Sequence, residues 1–534
     1  MVEVSSPRNF QQSLRKQTDD QSEISFSPEK QTSFTLYPSE IKPSPNANES
    51  VSQGLFHFIT FKEFKRILWI LLKATVPTIF SHLTDFLTGL ISLGFVGKYG
   101  NDSQLAGATL ANTWANVFCL GILFSINQGF AVTAAQLFGA RRLRDAGIIY
   151  QKTLVILGGF LIPLVLTLIF AEKFLIAIGL DADIAVNTGL YLRSIIPSLI
   201  ALSIFDCTKF FLVSQDHFFF QGILQSFMVA VHVGWCYFFV VHRNMPVSGA
   251  ALAKSVTDVT SAIILVAYVH FSGVLGESWI PWTRNCFTKV GEYLKHTAVI
   301  GANLYVEWIS FEISVFIAGM LGNEHVLGAH GIAITLVMVI FMFPLGSNTV
   351  MQAYIGNAVG EGNKAKTQKF MVAGLFLNGV FTLLNVFILI VFNKQISGFL
   401  TKAPETEEVL RHFMYIYVIA HILDTNVNLL AAVLRTLGRA KEVLISFFSC
   451  YAVINLTGQY IFAVRLRWGY MFLWISYIFA VIVMITLMVT KTRNMNWDKE
   501  IQDIKNKMES PTFHEILHEG DEPEEEETRS LLQT

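Results

Sequence analysis

The segment SQLAGATLANTWANVFCLGILFSINQGFAVTAAQLFGA, residues 103–140, contains no charged side chain. A membrane-spanning helix needs about 20 consecutive apolar residues, so this run is long enough to cross a bilayer. Further uncharged runs occupy 153–171, 370–392 and 468–490. Only 15% of the 534 residues are charged, against about 25% in a typical soluble protein, and 52% are hydrophobic. This composition excludes a large soluble enzyme and indicates a chain that crosses the membrane many times.

The apolar runs predict an all-α membrane protein with twelve transmembrane helices. Residues 62–490 accommodate about twelve units, if each unit is a span of about 20 residues with its connection. The predicted spans are 67–96, 105–138, 153–171, 184–213, 218–241, 250–272, 293–320, 327–356, 370–392, 412–434, 443–464 and 469–490. Polar tails are expected on both sides, a disordered one at 1–61 and an acidic one at 491–534.

Positive charges in the connections indicate how the chain sits in the membrane. Lys and Arg are more frequent in cytosolic than in external connections. The connections after spans 2, 6, 8 and 10 carry twelve basic residues, whereas those after the odd-numbered spans carry seven. The twelve are Arg141, Arg142, Arg144, Arg284, Lys289, Lys295, Lys364, Lys366, Lys369, Arg435, Arg439 and Lys441. The even-numbered connections and both termini are therefore predicted to be cytosolic.

An internal repeat supports the count of twelve. Span 2 ends in AQLFGARRLRDA and span 8 in GNAVGEGNKAKT, which places Gly139 and Gly360 at equivalent helix ends. Asp206 in span 4 and Asp424 in span 10 are matched in the same way. An even number of spans per repeat gives parallel repeats, an arrangement that suits alternating access. We therefore expect two six-helix, pseudo-symmetric lobes around a central cleft, at 62–275 and 293–490, joined by a cytosolic linker at 276–292.

Several short motifs carry a family resemblance. QLFGA at 136–140, VEW at 306–308, GNAVGEG at 356–362 and VLRTLGR at 433–439 resemble landmarks of the multidrug and toxin extrusion (MATE) transporters, eukaryotic members above all. The motifs follow the order of the family along residues 65–490. The resemblance implies twelve helices in two lobes and a secondary antiporter that exports organic compounds, organic cations or secondary metabolites, in exchange for H⁺ or Na⁺.

Acidic residues inside the spans are the candidates for ion coupling. A carboxylate in a span costs about 2.5–3.5 kcal/mol, so it usually faces an aqueous cavity or a partner. Glu307 has no basic residue one helical turn away, and the resemblance places a coupling glutamate here. Asp424 matches an acidic family position in span 10, and Glu312 is a further candidate on the helix of Glu307. His421 lies one turn before Asp424, where it either tunes a proton site or forms a structural hydrogen bond.

The first half offers Asp85, two turns before Ser92, which occupies the position where bacterial relatives often carry an aspartate. Two other acids in this half have a lysine one turn away, and such spacing favours structural ion pairs. The predicted pairs are Asp206 with Lys209, and Lys254 with Asp258.

Polar and aromatic side chains inside the spans are candidates for the substrate cleft. The faces of Trp and Tyr rings attract organic cations, whereas Asn and Gln also serve commonly to join helices. The predicted cleft residues are Asn112, Gln136, Tyr305, Trp308 and His421.

Other functions are less consistent with these residues. The DDxxD motif or histidine cluster of a membrane enzyme does not occur, and the five cysteines lack metal-ligand spacing. A net charge of −1 gives no field to attract nucleic acid. We expect no enzyme activity, no cofactor beyond a transmembrane H⁺ or Na⁺ gradient, and no metal. A flippase for a lipid or lipid-linked headgroup, from the same superfamily, remains an alternative.

The expected partners are a small organic substrate and membrane lipids, and the expected state is a monomer. An acidic dileucine pattern, Glu527 followed by Leu531 and Leu532, is typical of signals that sorting adaptors bind on cytosolic tails. The alternative is a solvated acidic tail. The sequence thus leaves the plasma membrane and an endosomal or vacuolar membrane as candidate locations.

Overall fold

The computed structural model describes residues 59–518, and this part of the chain is helical apart from its connections. Twelve helices are long and apolar enough to cross a membrane, which confirms the predicted all-α fold. Spans 1 to 12 are Phe61–Tyr99, Asp102–Gly139, Leu143–Ala177, Ile196–Ser214, Phe219–His242, Pro246–Ser272, Val290–Gly319, Glu324–Gly360, Lys364–Val391, Pro404–Thr436, Ala440–Arg465 and Phe472–Arg493. Most of the predicted N-terminal tail, and the pair Leu531 and Leu532, lie outside the described residues.

Polar capping residues explain why several spans begin earlier than their apolar runs. The Thr60 side chain accepts a hydrogen bond from the backbone N–H of Glu63, and the Glu63 carboxylate accepts one from the backbone N–H of Thr60. Asn101 and Gln104 form the same reciprocal cap at the start of span 2. Such capping boxes satisfy two of the backbone donors that a helix start leaves unpaired. Charged first turns therefore belong to the helices.

The predicted fourth span, 184–213, is two helices in the structure. A helix at Ala182–Ser194 ends before Ile195, and the span itself begins at Ile196 with Pro197 in its first turn. Proline has no N–H to continue the preceding helix, so it ends one helix and starts the next. The Ser255 hydroxyl donates a hydrogen bond to the freed Ser194 carbonyl at 2.7 Å.

The two halves of the chain meet where spans 1 and 2 pack against spans 7 and 8. Gly139 at the end of span 2 lies against the backbone of Asn357, and Gly360 at the end of span 8 lies against the backbone of Gln136. The two contacts are thus equivalent, with each glycine against the backbone of the opposite span, as expected for a repeated unit. Small residues allow helix backbones to approach this closely in membranes. We call this end of the molecule, where the connections after spans 2 and 8 emerge, the closed face.

The contact between spans 2 and 7 also depends on a glycine, Gly301. Gly301 faces the backbone of Ser125, and a Cβ at this position would overlap the Ser125 carbonyl. We expect Gly301→Ala to lower the free energy of unfolding by about 1–3 kcal/mol, the usual cost of overpacking. Gly291, on the same helix, has open space around it. Gly291→Ala is the control and should be neutral or stabilising by about 0.5–1 kcal/mol. Thermal unfolding of the purified variants measures both, and equal melting temperatures would contradict the close approach.

The chain beyond span 12 differs from the polar tail expected from residue 491 onward. Two further helices follow, Trp497–Glu509 and Pro511–His518, which we call the C-terminal helix pair. Their apolar side chains recur every three to four residues and are buried, as in an amphipathic helix that packs on a surface. The buried side chains are Ile501, Ile504, Met508, Phe513 and Leu517.

Candidate functional site

Two buried carboxylates from different spans lie together in the second half. Glu307 in span 7 is 4% exposed and Asp424 in span 10 is 3% exposed. Asn428, one turn after Asp424 in span 10, has its Nδ2 3.2 Å from Glu307 Oε1 and 3.3 Å from the backbone carbonyl oxygen of Asp424. The two carboxylates are also close enough to interact electrostatically. We call Glu307 and Asp424 the acid pair.

Span 11 supplies a hydroxyl to this site. The Tyr451 hydroxyl donates a hydrogen bond to Asp424 Oδ1 at 2.6 Å. Tyr451 lies in a π-helical segment, Phe448–Asn455, and such segments are frequent at functional sites because they change the direction of a side chain. The Tyr477 ring from span 12 stacks on Tyr451 with 6.1 Å between the ring centroids. The acid pair therefore lies beside two stacked tyrosines.

Arg435, near the end of span 10, brings a positive charge to the acid pair. Its guanidinium is buried and interacts electrostatically with Glu307. Arg435 Nη2 donates to Gln352 Oε1 at 3.2 Å, and Nη1 donates at 2.7 Å to Asn303 when the amide oxygen of Asn303 faces it. The sequence predicts Arg435 in a cytosolic connection. The structure corrects this, since the helix continues to Thr436 and carries the side chain inward.

The same hydrogen-bond network crosses between the halves. Gln352 in span 8 donates from Nε2 to Gln128 Oε1 in span 2 at 3.1 Å. Gln136 in span 2 donates to the carbonyl of Thr436 in span 10 at 2.7 Å. Gln136, predicted as a cleft residue, thus takes part in the contact that closes this end of the molecule. Arg435 interacts with Glu307 and donates to Gln352, which in turn bonds to Gln128 of the other half. Arg435 therefore connects the acid pair to the contact between the halves.

Three further candidates from span 7 face span 2 and not span 10. The Tyr305 hydroxyl donates to the Val117 carbonyl at 3.1 Å, and the Trp308 ring meets Phe124 edge to face with 5.9 Å between centroids. Glu312 lies with Tyr305 and Trp308 around a cavity of about 10 Å³. Residues five apart lie on different faces of a helix, which explains why Glu307 and Glu312 point to different spans.

His421 and Asn112 lie apart from this cluster. His421 is fully buried, and its ring nitrogens lie 3.0 Å from the Tyr417 hydroxyl and 3.2 Å from Asn385 Nδ2. These contacts replace the His–Asp hydrogen bond considered from the sequence spacing. Asn112 accepts a hydrogen bond from the Tyr191 hydroxyl at 3.4 Å, within the first half. Both residues thus join helices.

The first half holds a second group of buried charges. Lys209 Nζ lies 2.5 Å from Asp206 Oδ1, and Lys254 Nζ lies 3.2 Å from Asp258 Oδ2. Asp85 lies within electrostatic reach of Asp206, Lys254 and Asp258. In this cluster each lysine has an aspartate beside it, and Asp85 is the additional negative charge.

One residue of the closed face gave no signal in the sequence. Asp216, in the connection after span 4, accepts a hydrogen bond at 3.2 Å from Asn357 Nδ2 of the other half. Burial raises the pKa of Asp216 to about 8, while the positive charge of Lys366 acts in the opposite direction. Asp216 lies in a short polar connection, and its contact with Asn357 depends on how the two halves pack. The sequence alone therefore does not indicate this contact.

Twelve spans, two halves that meet through matched glycines, and a buried acid pair connected to that contact define a membrane transporter. No group of three or more His, Cys, Asp or Glu side chains that could hold a metal occurs within residues 59–518. The MatE family model matches the chain twice, at residues 77–238 and 299–461. The chain belongs to this family of transporters, and the double match reproduces the internal repeat.

Two curated relatives are similar to this chain over most of its length. "Multidrug and toxin extrusion protein 1" of Danio rerio is 26% identical, with 81% of this chain and 73% of the relative covered. "Protein DETOXIFICATION 16" of Arabidopsis thaliana is also 26% identical, with 84% and 92% covered. A crystal structure of a eukaryotic MATE transporter matches with a TM-score of 0.78 at 19% identity, covering 83% of this chain and 99% of that one. An outward-facing multidrug resistance MATE transporter matches with a TM-score of 0.72 at 16% identity, covering 82% and 97%.

Proposed function

We propose that this MATE-family transporter exports organic cations in exchange for protons, and that Glu307 and Asp424 form the site for which the two ligands compete. The observation that carries the proposal is the acid pair itself, two buried carboxylates that interact electrostatically, with Asn428 donating a hydrogen bond to Glu307. If both carboxylates are ionised, the positive charge of Arg435 balances only one of them. An uncompensated charge inside the membrane is costly, so the pair favours taking up a proton or a cationic substrate.

Competition for one site is sufficient to give exchange. A cation bound at the acid pair stabilises the ionised carboxylates, and a proton removes the charge that binds the cation. Each ligand therefore lowers the affinity for the other by the same factor. Protonation of Glu307 also weakens its attraction for Arg435, whose hydrogen bond to Gln352 leads to the contact between the halves. Arg435 is therefore the residue through which the acid pair affects the closed face.

Aromatic and acidic side chains on the span 2 side of span 7 support a cationic substrate. Tyr305 and Trp308 present ring surface on the helix of Glu307, and Glu312 adds a carboxylate beside them. Cations bind to aromatic faces and carboxylates. A flippase for an anionic headgroup would instead need free positive charge, whereas Arg435 donates its hydrogen bonds to Gln352 and Asn303.

Transport by purified protein in proteoliposomes tests this function. Tetraethylammonium serves as the cation and p-aminohippurate as the anion of similar size. We expect an imposed pH gradient to drive tetraethylammonium accumulation, with no accumulation of p-aminohippurate. A Na⁺ gradient at equal pH should drive neither compound. Accumulation that follows the Na⁺ gradient alone, or anion transport in preference to cation transport, would contradict the proposal.

The cellular location also belongs to this proposal. The basic residues of the even-numbered connections support a cytosolic closed face, and with it a cytosolic location for the acidic dileucine pattern at Leu531 and Leu532. We expect Leu531→Ala/Leu532→Ala to move the protein from an endosomal or vacuolar membrane to the plasma membrane, as seen by microscopy of a tagged chain. Gln533→Ala is the control. An unchanged distribution would show that the pattern is not a sorting signal.

A further inference from the structure

The C-terminal helix pair lies on the closed face, and its longer helix is held to the second half of the transporter. Arg439, after span 10, has its Nη2 2.6 Å from Glu500 Oε1. Lys364, at the start of span 9, has its Nζ 2.6 Å from Asp498 Oδ2. Both acidic residues belong to the helix Trp497–Glu509, which also packs along spans 8 and 9.

The other end of the pair is held to the first half. The Arg142 side chain, in the connection after span 2, donates a hydrogen bond to the Met508 carbonyl. His518 Nε2 lies 2.8 Å from Asp145 Oδ1 at the start of span 3. The helix Pro511–His518 contacts span 3, span 7 and the linker between the halves. The pair therefore connects the two halves on one face.

Apolar contacts hold the pair more firmly than its partly exposed ion pairs can. Leu517 is fully buried, and Phe513 is buried beneath the Arg142 guanidinium with 5.8 Å from the guanidinium carbon to the ring centroid. Isolated surface ion pairs contribute little to stability, whereas buried apolar side chains contribute strongly. Release of the pair therefore requires exposure of this apolar surface to water.

The pair also covers the point where the two halves meet. A cavity of about 310 Å³ separates Lys505 and Met508 from Gly139 and Gly360, the matched glycines of spans 2 and 8. Spans 2 and 8 cannot move apart here while one end of the pair is held by the first half and the other by the second. Alternating access requires such a separation on each face in turn.

We propose that the C-terminal helix pair is a latch that holds the closed face shut, and that its contacts with Arg142 and Asp145 must break before this face opens. The contacts with the second half extend along the longer helix and include span 7 beside the shorter one, whereas those with the first half are limited to Arg142 and span 3. When the closed face opens, the latch therefore stays bound to the second half and separates from the first half. Its presence shifts the transporter toward the state in which the opposite face is accessible.

Reversible cross-linking of the latch to the first half provides one test. Asp145→Cys/His518→Cys replaces a side-chain contact by two cysteines, and a bifunctional methanethiosulfonate joins them through reducible bonds. The five native cysteines are buried, and each single-cysteine variant serves as a control. We expect cross-linking to stop pH-driven tetraethylammonium exchange and reduction to restore it. Exchange by the cross-linked protein at the rate of the reduced protein would overturn the proposal.

The converse test releases the latch and needs no substrate. Gln136→Cys places a reporter thiol in the closed contact, and an impermeant maleimide is added from the side of the closed face. Phe513→Gln/Leu517→Gln should increase the labelling rate on the order of tenfold, within the usual range for coupled equilibria. Asp503→Gln/Asn506→Gln, on the exposed side of the other helix, is the matched control and should leave the rate unchanged.

Tryptic cleavage at Lys505 reports whether the helices have been released. Cleavage without faster labelling would show that the released helices do not hold the face shut. Protection from trypsin in Phe513→Gln/Leu517→Gln would show that these side chains do not hold the helices in place. Either result overturns the proposal.

Discussion

Glu307→Gln should reduce pH-driven export of tetraethylammonium to the level of empty liposomes, with normal folding and membrane insertion. The amide keeps the shape of the carboxyl group and can still accept the hydrogen bond from Asn428, but it does not titrate. Without a group that exchanges a proton for a cation, the pH gradient no longer drives transport. Initial uptake rates at several pH values, normalised to the amount of protein in the membrane, measure the effect.

Glu312→Gln is the matched control on the same helix. Glu312 faces span 2, away from the acid pair, so its substitution should raise the KM for the cation and leave the pH dependence of transport unchanged. Export by Glu307→Gln at the wild-type rate at every pH would remove Glu307 from the mechanism. The charge cluster of the first half, with Asp85, would then be the place of coupling.

Asp206→Asn should mainly affect folding. The Lys209 side chain is only 4% exposed and has its ammonium 2.5 Å from Asp206. Loss of one partner of a buried ion pair usually costs about 3–5 kcal/mol, because the remaining charge is left without compensation. We expect a several-fold lower yield of monodisperse protein by fluorescence-detected size-exclusion chromatography. Yield should recover in Asp206→Asn/Lys209→Met, which removes both charges.

The outcome separates structural from coupling roles among the buried acids. If Asp206→Asn gave a normal yield but no transport, Asp206 would be a coupling residue, as proposed for its repeat counterpart Asp424. The contrast between them lies in their neighbours, because Asp206 has an ammonium beside it whereas Asp424 accepts a hydrogen bond from a neutral tyrosine.

The spans and the repeat could be predicted because their signals are local. A helix in lipid must satisfy its own backbone hydrogen bonds, so length and apolar composition are enough to place it. The matched ends at Gly139 and Gly360 could also be read from the sequence. Their reciprocal contact could not, since it depends on how the two halves pack.

The composition of the site depended on contacts between distant parts of the chain. The absence of basic neighbours and the family resemblance indicate Glu307 and Asp424 separately, but only the packing of spans 7 and 10 brings the two carboxylates together. The predicted span 10 ends at residue 434, which puts Arg435 in a connection, whereas the helix continues to Thr436. Tyr451 reaches Asp424 from a π-helical segment that has no clear sequence signal. The C-terminal helix pair does have a sequence signal, the helical spacing of Ile501, Ile504 and Met508. The many charged residues between them make the segment resemble a polar tail.

Proton release on cation binding shows whether the two ligands compete for the acid pair. Purified protein in weakly buffered detergent solution near neutral pH is mixed with tetraethylammonium, and a pH-sensitive dye reports protons that enter the solution. If the cation and the proton compete for the acid pair, binding should release protons in proportion to the cation bound, and Glu307→Gln should release markedly fewer. Cation binding by the wild-type protein without proton release would contradict competition at Glu307 and Asp424.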